Sequence, residues 1–171
     1  MDQLLMRLNG LNACGEPKLP TGYSMRTASD ADANELARLM TGAFPEMEWH
    51  AERVTNDLLD DSGVRTTFVI ECAGQLTATA TERYIPAQFP DAGYLHWVAA
   101  DPAHRGLGLG RAVTIAVLNA FRTAGSNAAV LETDDTRTAA LRLYWSLGFR
   151  PVLRAPDNAE RWARLQPTVS A

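Results

Sequence analysis

Val98-Ala99-Ala100-Asp101-Pro102-Ala103-His104-Arg105-Gly106-Leu107-Gly108-Leu109-Gly110-Arg111 runs from an apolar strand through a glycine-rich turn into a helix. Glycines let a backbone approach a ligand closely, while the first N–H groups of a helix and its dipole favour negative charge. The stretch therefore predicts a site for a phosphate-bearing ligand. A P-loop is excluded because Arg111-Ala112 follows Gly110 where Lys-Ser/Thr is required, and glycines at 106, 108 and 110 do not give G-x-G-x-x-G. The competing reading is a corner whose glycines serve only the turn. The flanking Arg105 and Arg111 favour the anion.

Outward from this stretch the chain alternates between strand and helix patterns. Tyr94 to Ala100 reads as a buried strand, and Ala112 to Ala124, apolar on most sides, as a helix packed against a sheet and stopped by Gly125. Ala128 to Thr133 follows as a strand, Thr138 to Leu147 as a helix ended by Gly148, and Phe149 to Leu153 as a strand. Upstream, Tyr23 to Thr27 is a short strand, and Ser29 with Asp32 forms a capping box opening a helix through about Phe44. A second helix runs from His50 to Asp60, with Val54 and Leu58 four residues apart. Thr66 to Cys72 and Gln75 to Arg83, around Ala73-Gly74, predict a β-hairpin. Residues 1–20 read as an N-terminal leader with one short helix at Leu4 to Leu8. Residues 21–171 read as a single α+β domain around a mixed sheet, whose tail, with Trp162 and Leu165, adds a last edge strand.

A second block, Ala140-Leu141-Arg142-Leu143-Tyr144-Trp145-Ser146-Leu147-Gly148-Phe149, lies downstream of the first. Together the two resemble the GNAT superfamily of acyl-CoA-dependent N-acetyltransferases. Arg105, Gly108 and Gly110 match its Arg/Gln-x-x-Gly-x-Gly/Ala signature, and Ala140, Tyr144, Gly148 and Phe149 match its Ala-x-x-x-Tyr-x-x-x-Gly-Phe helix and exit. The order of elements fits from about residue 23 to 153. The resemblance implies a GNAT fold, a mixed central sheet flanked by helices, with a V-shaped splay between the strands at 94–100 and 128–133.

It also implies an enzyme that moves an acetyl group from acetyl-CoA to a primary amine by direct attack. The alternative on the same fold is a non-catalytic acyl-CoA-binding or sensing domain. In such a site the backbone of Val98, Ala99 and Ala100 pairs with the pantetheine amides, and the loop of Arg105, Gly106, Leu107, Gly108, Leu109, Gly110 and Arg111 holds the pyrophosphate. Arg137 stands where many members have Asn, and its charge is expected to reach a CoA phosphate.

The reaction needs a neutral amine and a stabilised leaving thiolate, so each proton needs a group of matched pKa. Tyr144 matches the family's general acid; a packing aromatic is the other reading. Glu132, twelve residues before it, sits where some peptide-acetylating members carry a catalytic glutamate, and a buried strand end would raise its pKa. A solvated or capping carboxylate is its alternative. His96, with an unperturbed value of ~6.5, is the other candidate base, or else a satisfied core histidine. Strand alternation places it with Val98 and Ala100, opposite Leu95 and Trp97. The acceptor side is expected from Phe44, Glu46, Met47, Glu48, Trp49 and His50, where aromatics beside acids suit a cationic amine. Asp134-Asp135 either extends that acidic channel or caps the next helix.

Composition bounds the rest. The 171 residues carry 46% hydrophobic and 21% charged residues, enough for one domain with a core. Sixteen basic against 20 acidic residues give a net charge of -4 and a pI near 5.3, which argues against nucleic acid. No apolar run approaches the ~20 residues of a bilayer span. Cys14 and Cys72 lack metal-ligand spacing, and His50, His96 and His104 fall on unlike elements, so no metal is expected. A cytoplasmic protein acting on an amine-bearing small molecule or protein N-terminus, without membrane or nucleic-acid partners, is the resulting expectation. A homodimer is left open.

Overall fold

The computed structural model describes residues 3–11 and 14–169, so residues 1–2 and 12–13 of the expected leader and 170–171 of the expected domain lie outside it. Among the described residues the strands are β1 (Leu4–Asn9), β2 (Tyr23–Thr27), β3 (Val64–Cys72), β4 (Gln75–Arg83), β5 (Ala92–Ala100), β6 (Ala128–Thr133) and β7 (Arg150–Val152). They form one sheet in the order β2-β3-β4-β5-β6-β1-β7. Every neighbouring pair is antiparallel except β5 and β6, which run parallel. The mixed α+β architecture is thus the one expected, and no described helix is long and apolar enough to cross a membrane.

Local chemistry accounts for the ends of several elements. Ala73 and Gly74, at φ 50° and 79°, make the left-handed two-residue turn whose twist matches the β3–β4 hairpin. The Ser29–Asp32 capping box forms and leads through a short 3-10 turn into α1 (Ala33–Ala43). Arg26 donates twice to Asp32 at 2.8 Å, which holds that carboxyl down at about 2. The second helix begins as α2 (Ala51–Val54) and continues in wider π geometry through Leu59.

Helices cover both faces. On one, α3 (Leu109–Thr123) buries Val113, Val117 and Phe121 beside Leu95, Ala78 and Ala80, joined by Leu141 and Tyr144 of α4 (Thr138–Ser146). On the other, Leu36, Leu39 and Met40 of α1 pack with Val54, Leu58 and Val69. Gly93 is required at the first face, because a Cβ there would stand 2.2 Å from the Phe121 ring.

Three expectations are corrected. Leu4 to Leu8 is not a helix ahead of the domain. It is strand β1, paired with both β6 and β7. Leu4, Met6 and Leu8 enter the main core while Leu5 faces Val130 and Tyr94, so both faces are covered and the sequence shows no alternation. The tail is not an edge strand. It is α5 (Asn158–Val169), which buries Trp162 and part-buries Leu165, three residues on along one helical face. Finally, His96 does not share a face with Val98. Trp97 adopts φ 45° and the β4–β5 register skips a residue between Thr79↔Ala99 and Thr81↔His96, as a β-bulge does. His96 and Trp97 both turn toward the α1 side, and Val98 and Ala100 join Leu95 in the α3-side core.

Candidate active site

β5 and β6 pair only at Ala92↔Ala128, Gly93↔Ala129 and Tyr94↔Val130. Beyond Tyr94 they diverge, and a cleft of about 690 Å³ opens at the fork. On its far side β5 stays bonded to β4 as far as Ala100. The cleft-facing edge of Leu95 to Ala100 therefore has no strand partner among the described residues, and can accept an extended chain of amides as an added strand.

Arg105, which opens the glycine loop, lines this cleft. Gly106 and Gly108 sit at φ 79° and 75° with open space where a side chain would stand, and Gly108 is the left-handed N-cap of α3. The helix's first internal bond is donated by Ala112 N to Gly108 O, so the N–H groups of Leu109, Gly110 and Arg111 have no carbonyl of their own helix to bond. Arg105 lines the cleft, Arg111 donates to Ser146 Oγ at 2.9 Å, and neither is ion-paired with an acid among the described residues. Asp101 anchors the turn by accepting from Ala103 N at 2.9 Å and from Arg38 at 3.1 Å. Exposed amides, a 15-residue helix dipole and two guanidinium groups not paired with an acid among the described residues fit a pyrophosphate, and the open β5 edge fits pantetheine.

Tyr144 and Glu132 both line the cleft. Tyr144 is 6% exposed and packs edge-on against Phe149. Burial pushes its phenol up, opposed by the nearby Arg137 charge, so it holds its proton at neutral pH. Glu132, partly exposed, is held by two donors and caps no helix. Its Oε2 accepts from Tyr94 Oη at 2.8 Å and its Oε1 from Arg154 Nη2. His96 also borders the cleft, but burial and then the Arg83 charge hold its imidazole down at about 4, and its Nδ1 is buried without a partner.

Arg137 does not turn toward the glycine loop. Its guanidinium bonds Glu46 and Asp134 and lies 4.2 Å from the centre of the Phe44 ring, which ties the α1–α2 loop to the start of α4 across the cleft. Of the expected acceptor residues, Phe44, Glu46 and Met47 line the cleft. Trp49 packs behind, 4.7 Å from Trp97, and His50 caps α2 by accepting from Arg53 N. Asp135 is taken by Arg161, whereas Asp134 faces the cleft. Neither Cys14 nor Cys72 lines it; both are free thiols. Among the described residues no group of three or more His, Cys, Asp or Glu could hold a metal ion.

Tyr94 and Arg154 are the residues that sequence reasoning missed. Each reaches Glu132 from far along the chain, by 38 and 22 residues.

Comparison with known proteins agrees with this geometry. The model of the acetyltransferase (GNAT) family matches residues 33–149. Mycothiol acetyltransferase of Nocardia farcinica is 34% identical over 145 residues, covering 78% of this chain and 47% of that protein. That of Thermobispora bispora is 37% identical, covering 78% and 48%. The chain thus spans about half the length of these relatives. Among solved structures, the ribosomal-protein-S18-alanine N-acetyltransferase of Escherichia coli shares the fold with a TM-score of 0.65 at 21% identity, covering 77% of this chain and 79% of that one. A GCN5-related N-acetyltransferase from Sphaerobacter thermophilus does so with a TM-score of 0.69 at 19% identity, covering 89% and 50%.

Proposed function

The chain belongs to the GNAT acetyltransferase family, and from that premise we propose that it transfers an acetyl group from acetyl-CoA to a primary amine by direct attack. The observation that carries this reading is the forked cleft, which brings an open strand edge, Arg105 at the start of the glycine loop, a protonated phenol and a bonded carboxylate to one cavity. Acetyl-CoA supplies the acyl group as an activated thioester. The chain's residues bind, orient and move protons around it.

The edge of Val98, Ala99 and Ala100 holds the pantetheine arm, while the amides of residues 106–111 with Arg105 and Arg111 hold the phosphates. Tyr144 Oη, kept protonated by burial, donates to the departing thiolate. The Arg137 charge favours the phenolate left behind. Glu132 takes the proton of the attacking amine, directly or through a water, with Tyr94 and Arg154 donating to it. His96, uncharged near neutrality, forms the wall between Tyr94 and Trp97 instead of serving as the base.

On the acceptor side Phe44, Glu46 and Asp134 gather around Arg137, and the Trp97 ring beside them completes a wall for an amine-bearing acceptor. The relatives' name, mycothiol acetyltransferase, supports a small amine of mycothiol chemistry over a protein N-terminus. A panel of small amines, amino sugars and peptides, followed by release of free CoA from acetyl-CoA, tests this. Amine-dependent release is expected, greatest with the small thiol-related amines. Acetyl-CoA binding with no release for any amine would leave only a sensing domain.

A further inference from the structure

The Glu132 carboxylate is shared between two hollows. Tyr94 borders the main cleft and bonds Oε2; Arg154 borders a second hollow of about 420 Å³, lined also by Ala155 and Asn158, and bonds Oε1. Both hollows are lined by Glu132 and Gln3. Arg154 is itself fixed. Asn158, 2% exposed at the start of α5, accepts from the backbone N–H groups of Arg154 and Ala155 at 3.1 and 3.4 Å. The Arg154 guanidinium also reaches the Gln3 carbonyl at 3.5 Å. Arg154 and Asn158 lie beyond residues 33–149, the part that matches the family, whereas Tyr94 lies within it.

A carboxylate at a strand end has several rotamers, and only some present an oxygen to the cleft. We propose that Arg154 is a positioning residue for the acetyl transfer. By occupying Oε1, it turns Oε2 toward Tyr94 and the acceptor. Arg154 does not border the main cleft, so it acts only through Glu132. This inference rests on the reading of Glu132 as the base.

The test compares Arg154→Met, Arg154→Lys, Glu132→Gln and the double variant Glu132→Gln/Arg154→Met, each checked for folding by thermal denaturation. The inference expects Arg154→Met to lower kcat roughly 10- to 100-fold, the cost of a misplaced reacting group. Acetyl-CoA affinity stays parental. Arg154→Lys restores only part of kcat, because an ammonium cannot reproduce the guanidinium geometry. In the Glu132→Gln background, Arg154→Met has no further effect on kcat. Parental kcat in Arg154→Met, or parental kcat in Arg154→Lys with the double variant fully additive, overturns the positioning role. If Glu132→Gln is impaired while Arg154→Met is not, this inference fails alone; if Glu132→Gln is parental, the base assignment fails and this inference with it.

Discussion

Tyr94 Oη donates to Glu132 Oε2 at 2.8 Å across the point where β5 and β6 cease to pair. Tyr94 is the last residue of β5 in register with β6, and Glu132 lies two residues past its partner Val130, on the same face. Burial, reinforced by the Glu132 charge, pushes the tyrosine phenol up, so it remains a donor across the working pH range. Tyr94→Phe removes one donor to a charged acceptor, a bond worth about 1.5–3 kcal/mol. We expect a lower denaturation midpoint and a reduced kcat whose effect is not additive with Glu132→Gln. Full additivity in a double-variant cycle would separate Tyr94 from the base.

Gly93 precedes that junction and lets the Phe121 ring lie against β5. Gly93→Ala forces a methyl into a ring held in the core, with a Cβ at 2.2 Å. Overpacking of this kind costs about 1–3 kcal/mol or more. Urea unfolding should show at least that loss, and a variant as stable as the parent would mean Phe121 has room to withdraw.

His96 couples folding to pH. Its folded value of about 4 lies below the ~6.5 of an unfolded histidine, so the unfolded chain binds more protons between those values. Stability from keeping His96 neutral is complete above pH ~6.5 and is lost as pH falls toward 4, by about 3 kcal/mol at most. Denaturant unfolding of the parent and His96→Gln should diverge in slope across that window. Parallel curves from pH 4.5 to 7 would place the imidazole in contact with water.

The parts of this fold that local chemistry controls were legible in the sequence. Ser29 with Asp32 forms its capping box, Ala73-Gly74 makes its turn, and Gly106 and Gly108 take the positive φ that glycine favours. What failed depended on partners distant in sequence. β1 is covered on both faces, so its Leu-Leu-Met-Arg-Leu pattern carries no strand period. The bulge at Trp97 reverses the faces of β5 through one positive φ at a residue whose side chain does not announce it. In the site, Tyr144 and Glu132, expected from their place in the chain, both line the cleft, whereas Tyr94 and Arg154 reach Glu132 across 38 and 22 residues. Arg137 bonds Glu46, 91 residues away on the acceptor loop, a partner that no local pattern shows.

The glycine loop can be tested apart from catalysis. Gly108 at φ 75° and Gly74 at φ 79° both have open space, so valine is strained at either by about 1–2 kcal/mol. Only Gly108 caps the helix facing the cleft. Acetyl-CoA stabilises the native state by mass action, so its thermal shift should persist in Gly74→Val and shrink in Gly108→Val. Equal shifts in the two variants would move the phosphates elsewhere.

Tyr144→Phe addresses the account's central claim, that this cleft performs acetyl transfer. The Phe149 contact keeps the ring in place, and the hydroxyl alone is removed. Steady-state release of CoA at saturating amine, alongside acetyl-CoA affinity by calorimetry, gives the decisive comparison. The account predicts a kcat lower by about 10²–10⁴-fold with affinity nearly unchanged, and partial recovery with an acyl donor whose leaving thiol is more acidic. Parental kcat in Tyr144→Phe would contradict it.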